Sequence, residues 1–192
     1  MKVIDVSYSD IELFALKLIE KYSGSLKTVE NVLVVGVASG GVPIAKAVFD
    51  KINKINVKYI ALKCQRPSTK RKDTGIIGKL ISSILKVLPK LLLNKLRVLE
   101  HNILSRNSSS GREVFELDHI DYNQFDFIFI IDDAVDSGYS LKSVREFVCS
   151  QSERPKVITS VYVTTQLEPV YKADFSFKQN VLVRFPWSKD AK

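Results

Sequence analysis

Ile11, Phe14, Ala15, Leu18, Ile19 and Tyr22 recur at helical spacing, which predicts an amphipathic helix with one buried face. Ser9 and Glu12 stand at capping-box spacing near its start, and Gly24 is the expected stop. Apolar residues then run almost unbroken from Val32 to Val37, as in a strand covered on both faces. Pro43 suits the first turn of the next helix, and Ile44, Ala45, Val48 and Ile52 give it one apolar side. A second strand over Val57 to Leu62 completes a β-α-β unit. The rhythm breaks at the turn-rich stretch RPSTKRKDTG. Ile77, Leu80, Ile81, Ile84 and Leu88 then form a helical stripe that Pro89 should divide from a second helix. A Ser-rich turn, Asn107 to Gly111, returns the chain to a strand over Arg112 to Leu117. The core pattern resumes with a strand from Phe127 to Ile131, a polar loop, and a helix with Leu141, Val144 and Val148 inward. Val157 to Val163 reads as another strand, and Phe175 to Phe177 and Val181 to Phe185 as short ones. The alternation predicts an α/β fold: a central parallel sheet of about five strands flanked by helices. Without a repeat or a linker, residues 1–192 read as a single domain with a helical insertion at about 73–105.

Composition narrows the class. Of 192 residues, 45% are hydrophobic and 26% charged, which describes a folded core and not a disordered chain. No charge-free apolar run approaches the roughly 20 residues that span a bilayer. The opening MKVIDVSYSDIELF has acids too early for a secretory leader and no small-residue cleavage site. Two cysteines, Cys64 and Cys149, with no CxxC, exclude a disulfide scaffold and a cysteine-rich zinc site. The expected location is a reducing cytoplasm. His101 and His119 are isolated and read as surface or packing residues.

The net charge of +8 is uneven. Lys63 to Arg112 holds 12 Lys/Arg against two acids, while the remainder holds 17 basic and 19 acidic residues. Basicity therefore belongs to the insertion and not to the body. Its plain reading is an apolar stripe packed on the domain or on a second subunit, with solvated lysines. The sharper reading is a basic amphipathic surface for nucleic acid or an anionic membrane. The near absence of aromatics argues against base stacking, and the plain reading is preferred.

Candidate chemistry lies in IFIIDDAVDSGYSLKSV, residues 128–144. An apolar strand ends in adjacent carboxylates, Asp132 and Asp133, and Asp136-Ser137-Gly138-Tyr139-Ser140 then opens a helix. Such a loop offers backbone N–H groups, hydroxyls and the positive end of a helix dipole, which suits a phosphate. The paired carboxylates suit vicinal hydroxyls or Mg²⁺ held through water. Phosphate beside a diol describes a ribose 5-phosphate. An Asp-capped turn is the bland reading, but it does not account for a third acid and the Ser-Gly-x-Ser helix entry together. A calcium loop is excluded, because alternating ligands and a closing Glu are missing. In GVASGGVPIA, Ala38, Ser39, Gly40 and Gly41 would present backbone N–H groups before a helix; neither a GxGxxG nor a GK[ST] pattern is present.

The acidic motif resembles the signature of the type I phosphoribosyltransferases, which bind phosphoribosyl pyrophosphate (PRPP). The resemblance implies that Asp132 and Asp133 engage the ribose hydroxyls and that Asp136 to Ser140 hold the 5′-phosphate. It further implies that Asp136 exchanges a proton with the acceptor and that Ala38 to Gly41 form the pyrophosphate loop. Arg66, Lys70, Arg71 and Lys72 fall where the family places a flexible, cation-bearing loop. VLVRFPWSKD is similar to the C-terminal strand and Pro-Trp turn of xanthine–guanine-type members, which places the acceptor pocket at Leu182, Val183 and Trp187. This chain has Ser39 where purine-salvage relatives often carry Lys or Arg, Leu182 at the ring-stacking position, and Thr164 or Thr165 in place of a purine-reading Lys. The implied activity is Mg²⁺-dependent transfer of a phosphoribosyl group to or from a nitrogenous base, by a homodimer with a small hood built from the two ends of the chain. Two rival readings are a PRPP- or nucleotide-sensing protein without turnover, and a nucleic-acid- or membrane-associated protein acting through the insertion.

Overall fold

The computed structural model describes residues 1–53, 56–65, 89, 92–99, 112–116, 119–188 and 190–191. In chain order, strand β1 (Lys2–Asp5) leads to helix α1 (Tyr8–Lys27), strand β2 (Asn31–Ala38), helix α2 (Gly41–Lys51) and strand β3 (Asn56–Gln65). Strand β4 (Glu113–Glu116) and a 3-10 turn (Tyr122–Gln124) precede β5 (Phe127–Val135) and α3 (Tyr139–Gln151). Strands β6 (Lys156–Thr164), β7 (Phe175–Gln179) and β8 (Val181–Arg184) follow. Residues 92–99 are helical as well.

The apolar run of β2 is continuous because successive side chains enter different cores. Val32 and Val34 pack with Ile11, Phe14, Ile44 and Val48 from α1 and α2. Leu33, Val35 and Val37 pack on the other side with Leu141, Val144 and Val148 from α3. The result is an α/β fold whose mostly parallel central sheet is flanked by helices.

The sheet has six strands, ordered β4-β3-β2-β5-β6-β7, where about five were expected. β4 runs antiparallel to β3, pairing Glu113 with Gln65 and Glu116 with Leu62. The chain leaves and re-enters the sheet at the same edge, so this pairing needs no crossover. All other pairs in this sheet are parallel, which gathers the C-terminal ends of β2, β5 and β6 at one edge.

Local corrections have identifiable causes. The capping box of α1 is Ser7 with Asp10, not Ser9 with Glu12. Ser7 is extended, its hydroxyl accepts the Asp10 N–H at 3.2 Å, and Asp10 accepts the Ser7 N–H at 2.9 Å. Gly24 does not end the helix. Nothing lies within 4 Å of where its Cβ would be, and the helix runs on to bury Leu26. β5 also continues past Ile131, because the apolar run of β6 keeps pairing alongside it: Asp132 faces Val161 and Val135 faces Thr164.

The two ends of the chain meet in a second, parallel sheet, with Lys2 opposite Val181 and Asp5 opposite Arg184. Arg184 is buried and donates to Asp190 (2.8 Å), Asp5 (2.5 Å) and Asn94 (2.8 Å). Arg97 donates to both carboxylate oxygens of Asp190, each at 2.9 Å. The network fastens residues 92–99 to both ends of the chain. The Pro89 carbonyl accepts from the Leu92 and Leu93 N–H groups of this helix. The rest of the predicted insertion, including the Ile77 to Leu88 stripe, lies outside the described residues, as do Arg66, Lys70, Arg71 and Lys72. Among the described residues, no helix is long and apolar enough to cross a membrane.

Candidate active site at the sheet edge

Asp132 and Asp133 stand near the end of β5, beside the junction of β2 and α2. Asp132 accepts the N–H of Asp133, and Asp133 accepts the N–H of Ala134, both at 2.9 Å. Burial pushes both carboxyls above the usual carboxylate range, and for Asp132 the neighbouring Asp133 charge adds to it. The Arg112 guanidinium works against this rise at Asp132 without cancelling it.

The glycine pair fits against the acidic pair. A Cβ on Gly40 would land on the Asp133 carboxylate. One on Gly41 would strike the Ile131 carbonyl and come within 2.8 Å of the Asp132 Cα. Only residues without side chains let the start of α2 approach β5 this closely. Ala38 ends β2, the Ala38–Ser39 peptide is cis, and Ser39 is exposed. Four of the residues singled out by the sequence, Gly40, Gly41, Asp132 and Asp133, thus share one junction.

Beside it, Asp132, Asp136, Ser137, Gly138 and Ser140 line a cleft of about 230 Å³. Gly138 has φ +85°, the left-handed region that favours glycine, and it turns the chain into α3. Tyr139 and Ser140 form the first helical turn. Ser137 accepts the Val170 N–H on its carbonyl at 2.9 Å, and the Tyr171 backbone packs against Gly138. Helix-tip N–H groups, hydroxyls and two carboxylates in one cleft can grip a phosphate and a diol simultaneously.

Two contributions were not foreseen in the sequence, that of Arg112 and the contact of Thr165 with Asp136. Arg112 lines the cleft with Asp132 and brings a cation to it. It stands just before β4, forty-odd residues beyond β3, and only the antiparallel return of the chain carries it to this edge. Thr165, directly after β6, is buried, and its hydroxyl donates to Asp136. Beneath the loop, Cys64 of β3 points its thiol at the Ser140 carbonyl, 3.8 Å away, and burial pushes that thiol up.

Leu182, Val183 and Trp187 do not line this cleft. Leu182 and Val183 are buried on β8, and Val183 packs in the core beside Phe185. Trp187 stacks on Phe185 with ring centroids 4.8 Å apart and planes 6° from parallel.

A family model described as the phosphoribosyl transferase domain matches residues 7–189. The chain belongs to the phosphoribosyltransferase family. Among solved structures, a purine phosphoribosyltransferase from Pyrococcus horikoshii superposes with a TM-score of 0.63 at 14% identity, over 98% of this chain and 95% of that one. A xanthine-guanine-hypoxanthine phosphoribosyltransferase from Helicobacter pylori gives 0.63 at 16% identity, over 97% and 94%. A hypothetical protein from Neisseria gonorrhoeae with bound ppGpp gives 0.58 at 12% identity, over 97% and 89%. At these identities the likeness establishes the phosphoribosyltransferase fold. No curated protein matches the chain.

Among the described residues no group of three or more His, Cys, Asp or Glu could hold a metal ion. Two adjacent carboxylates nevertheless fit Mg²⁺, which keeps several waters and takes one or two carboxylates plus substrate phosphates. In this phosphoribosyltransferase the donors suit an ion arriving with substrate better than a resident one.

Proposed function

We propose that the chain catalyses Mg²⁺-dependent transfer of a phosphoribosyl group between PRPP and a nitrogenous base, in either direction, with a purine-type base as acceptor. One observation carries this reading: Gly40 and Gly41 close directly onto Asp133 and Asp132, beside the Asp136–Ser140 loop. Sites for pyrophosphate, ribose hydroxyls and 5′-phosphate would then lie in the order in which PRPP carries those groups. The purine-type acceptor rests on the activities for which the Pyrococcus and Helicobacter proteins are named.

Ser137, Ser140 and the N–H groups at the start of α3 would hold the 5′-phosphate, with Arg112 adding positive charge to the cleft. Asp132 and Asp133 would accept hydrogen bonds from the ribose hydroxyls and, through water, hold Mg²⁺. The N–H groups of Ser39, Gly40 and Gly41 would face the pyrophosphate. Bound Mg²⁺ would supply countercharge to the departing pyrophosphate. As the C1–oxygen bond loosens, positive charge would grow on the ribose ring, and carboxylates holding its hydroxyls would stabilise that charge. Asp136 would take the proton that the acceptor nitrogen gives up. Partly exposed Trp187, stacked on Phe185 and next to the strand that carries Leu182 and Val183, is the proposed acceptor wall.

The test combines PRPP with Mg²⁺ and a panel of guanine, hypoxanthine, xanthine and adenine, following pyrophosphate release and, separately, PRPP binding. Release by wild type that falls at least about a hundredfold in Asp136→Asn, with PRPP binding lost in Asp133→Asn, is the expected result. Binding without release across the panel would favour the sensing protein. Unchanged activity in both variants would remove the site.

A further inference from the structure

We propose that Thr165 is a positioning residue for Asp136, holding its carboxylate before and after the proton transfer. The inference rests on the reading of Asp136 as proton partner and adds a residue to it.

Thr165 is 4% exposed and follows β6 directly. Its N–H donates to the Val135 carbonyl at 2.9 Å, so its backbone is tied to the residue before Asp136. The neighbouring threonine serves another purpose, since the Thr164 hydroxyl donates to Ser176 on β7 at 2.9 Å. The Thr165 hydroxyl instead meets two acceptors: Asp136 Oδ1 and, at 3.3 Å, the Val135 carbonyl oxygen.

A threonine hydroxyl carries one proton and two lone pairs, so it cannot donate to both acceptors at once. While Asp136 is ionised the proton belongs on its carboxylate, since a charge-assisted hydrogen bond is the stronger. In the forward reaction the acceptor nitrogen forms its bond to C1, and the C1–oxygen bond breaks with its electron pair leaving on pyrophosphate. The N–H electron pair returns to the nitrogen, and the proton passes to Asp136. The proton arrives on the side of the carboxyl that faces the acceptor, so Oδ1 keeps its lone pair toward Thr165 and goes on accepting from that hydroxyl, with the Val135 carbonyl as the hydroxyl's second acceptor. Oxygen positions stay fixed throughout, so Asp136 keeps its orientation in both states. Because Thr165 is β-branched, its χ1 is stiff, and a residue tied by its own N–H offers a firmer support than a surface side chain.

Thr165→Val keeps the shape and removes the hydroxyl, while Thr165→Ser keeps the hydroxyl. Three-bond couplings to the Asp136 carboxyl carbon report its χ1 in the free protein, and pyrophosphate release with the four purine bases reports turnover. The expected result is a single Asp136 rotamer in wild type and Thr165→Ser, and rotamer averaging in Thr165→Val. With it should come a kcat loss of about tenfold at unchanged KM for PRPP, restored by serine. An unaltered Asp136 rotamer in Thr165→Val overturns the proposal, as does unaltered kcat in that variant when Asp136→Asn is inactive. Full turnover by Asp136→Asn instead overturns the proton-partner role on which the proposal stands. If wild type releases no pyrophosphate with any base, the transferase reading fails, and the couplings alone decide the Thr165 contact.

Discussion

At the scale of single residues, the acidic pair opposes the stability of the fold that holds it. Burial raises both carboxyls, and at Asp132 the Asp133 charge adds to it, so keeping them ionised at neutral pH costs folding free energy. Asp132→Asn should therefore bind PRPP far more weakly yet melt higher, by about 2–4 °C for each kcal/mol recovered. Calorimetric melting beside PRPP titration checks both halves, and a lower melting temperature contradicts a burial penalty on the ionised pair. The glycines separate in a similar way. In Gly40→Ala the new methyl meets the movable end of Asp133, so PRPP affinity should drop by about tenfold or more with little change in melting temperature. In Gly41→Ala it meets backbone at Ile131 and Asp132, so the fold itself should weaken. Parallel melting and binding curves would expose the contrast. The acids, the glycines and the Ser-Gly loop were legible because each is a residue type that one local chemistry demands. The contacts of Arg112 and Thr165 were not, since an arginine before a strand and a threonine after one point to no particular carboxylate until the sheet brings them to Asp132 and Asp136.

Among the elements, the segment between β6 and β7 is the brace for the Asp136–Ser140 loop. Asp174 accepts both the N–H (2.8 Å) and the hydroxyl (2.7 Å) of the fully buried Thr159, and the Thr159 hydroxyl accepts the Asp174 N–H at 3.1 Å. Four residues earlier, Val170 donates to the Ser137 carbonyl. Asp174→Ala leaves two buried donors on Thr159 without that partner, a loss of roughly 1–3 kcal/mol. Urea unfolding should show that loss, and hydrogen exchange should quicken at the first amides of α3 while those of α1 stay protected. Helices and strands were readable to within a few residues because alternating burial leaves a period in the sequence. Their ends were less so: Asp10 replaced Glu12 in the cap of α1, and β5 ran on through its acids because its neighbour did. A cap depends on side-chain geometry and a strand end on its partner, and neither leaves a period.

For the molecule as a whole, two arginines and two aspartates fasten the second sheet to residues 92–99. Burial alone would raise the Asp190 carboxyl, but the hydrogen bond from Arg184 and the nearby Arg97 charge hold it below its ordinary value. A carboxyl depressed in the folded state adds stability above its unfolded pKa of about 3.9, and that stability is lost as pH falls through the folded value. Wild type should accordingly lose melting temperature below about pH 4 more steeply than Asp190→Asn, whose curve starts lower at neutral pH. Melting curves from pH 7 down to pH 3 decide it. Overall architecture was legible from the alternation of strands and helices. The strand at Glu113–Glu116 was expected too, but its antiparallel pairing and the count of six were not, because four residues carry too little pattern to declare a partner or a direction.

The parallel pairing of β1 with β8 also dictates an order of events during synthesis. Asp5 and Arg184 are 179 positions apart, so β1 leaves the ribosome long before its mate β8 has been translated. Until then Lys2 and Asp5 are the charges that discourage a nascent β1 from joining a stranger's edge. Closure of the small sheet therefore comes after the six-stranded sheet's residues have been made, and a chain stalled before β8 would expose β1 to quality control.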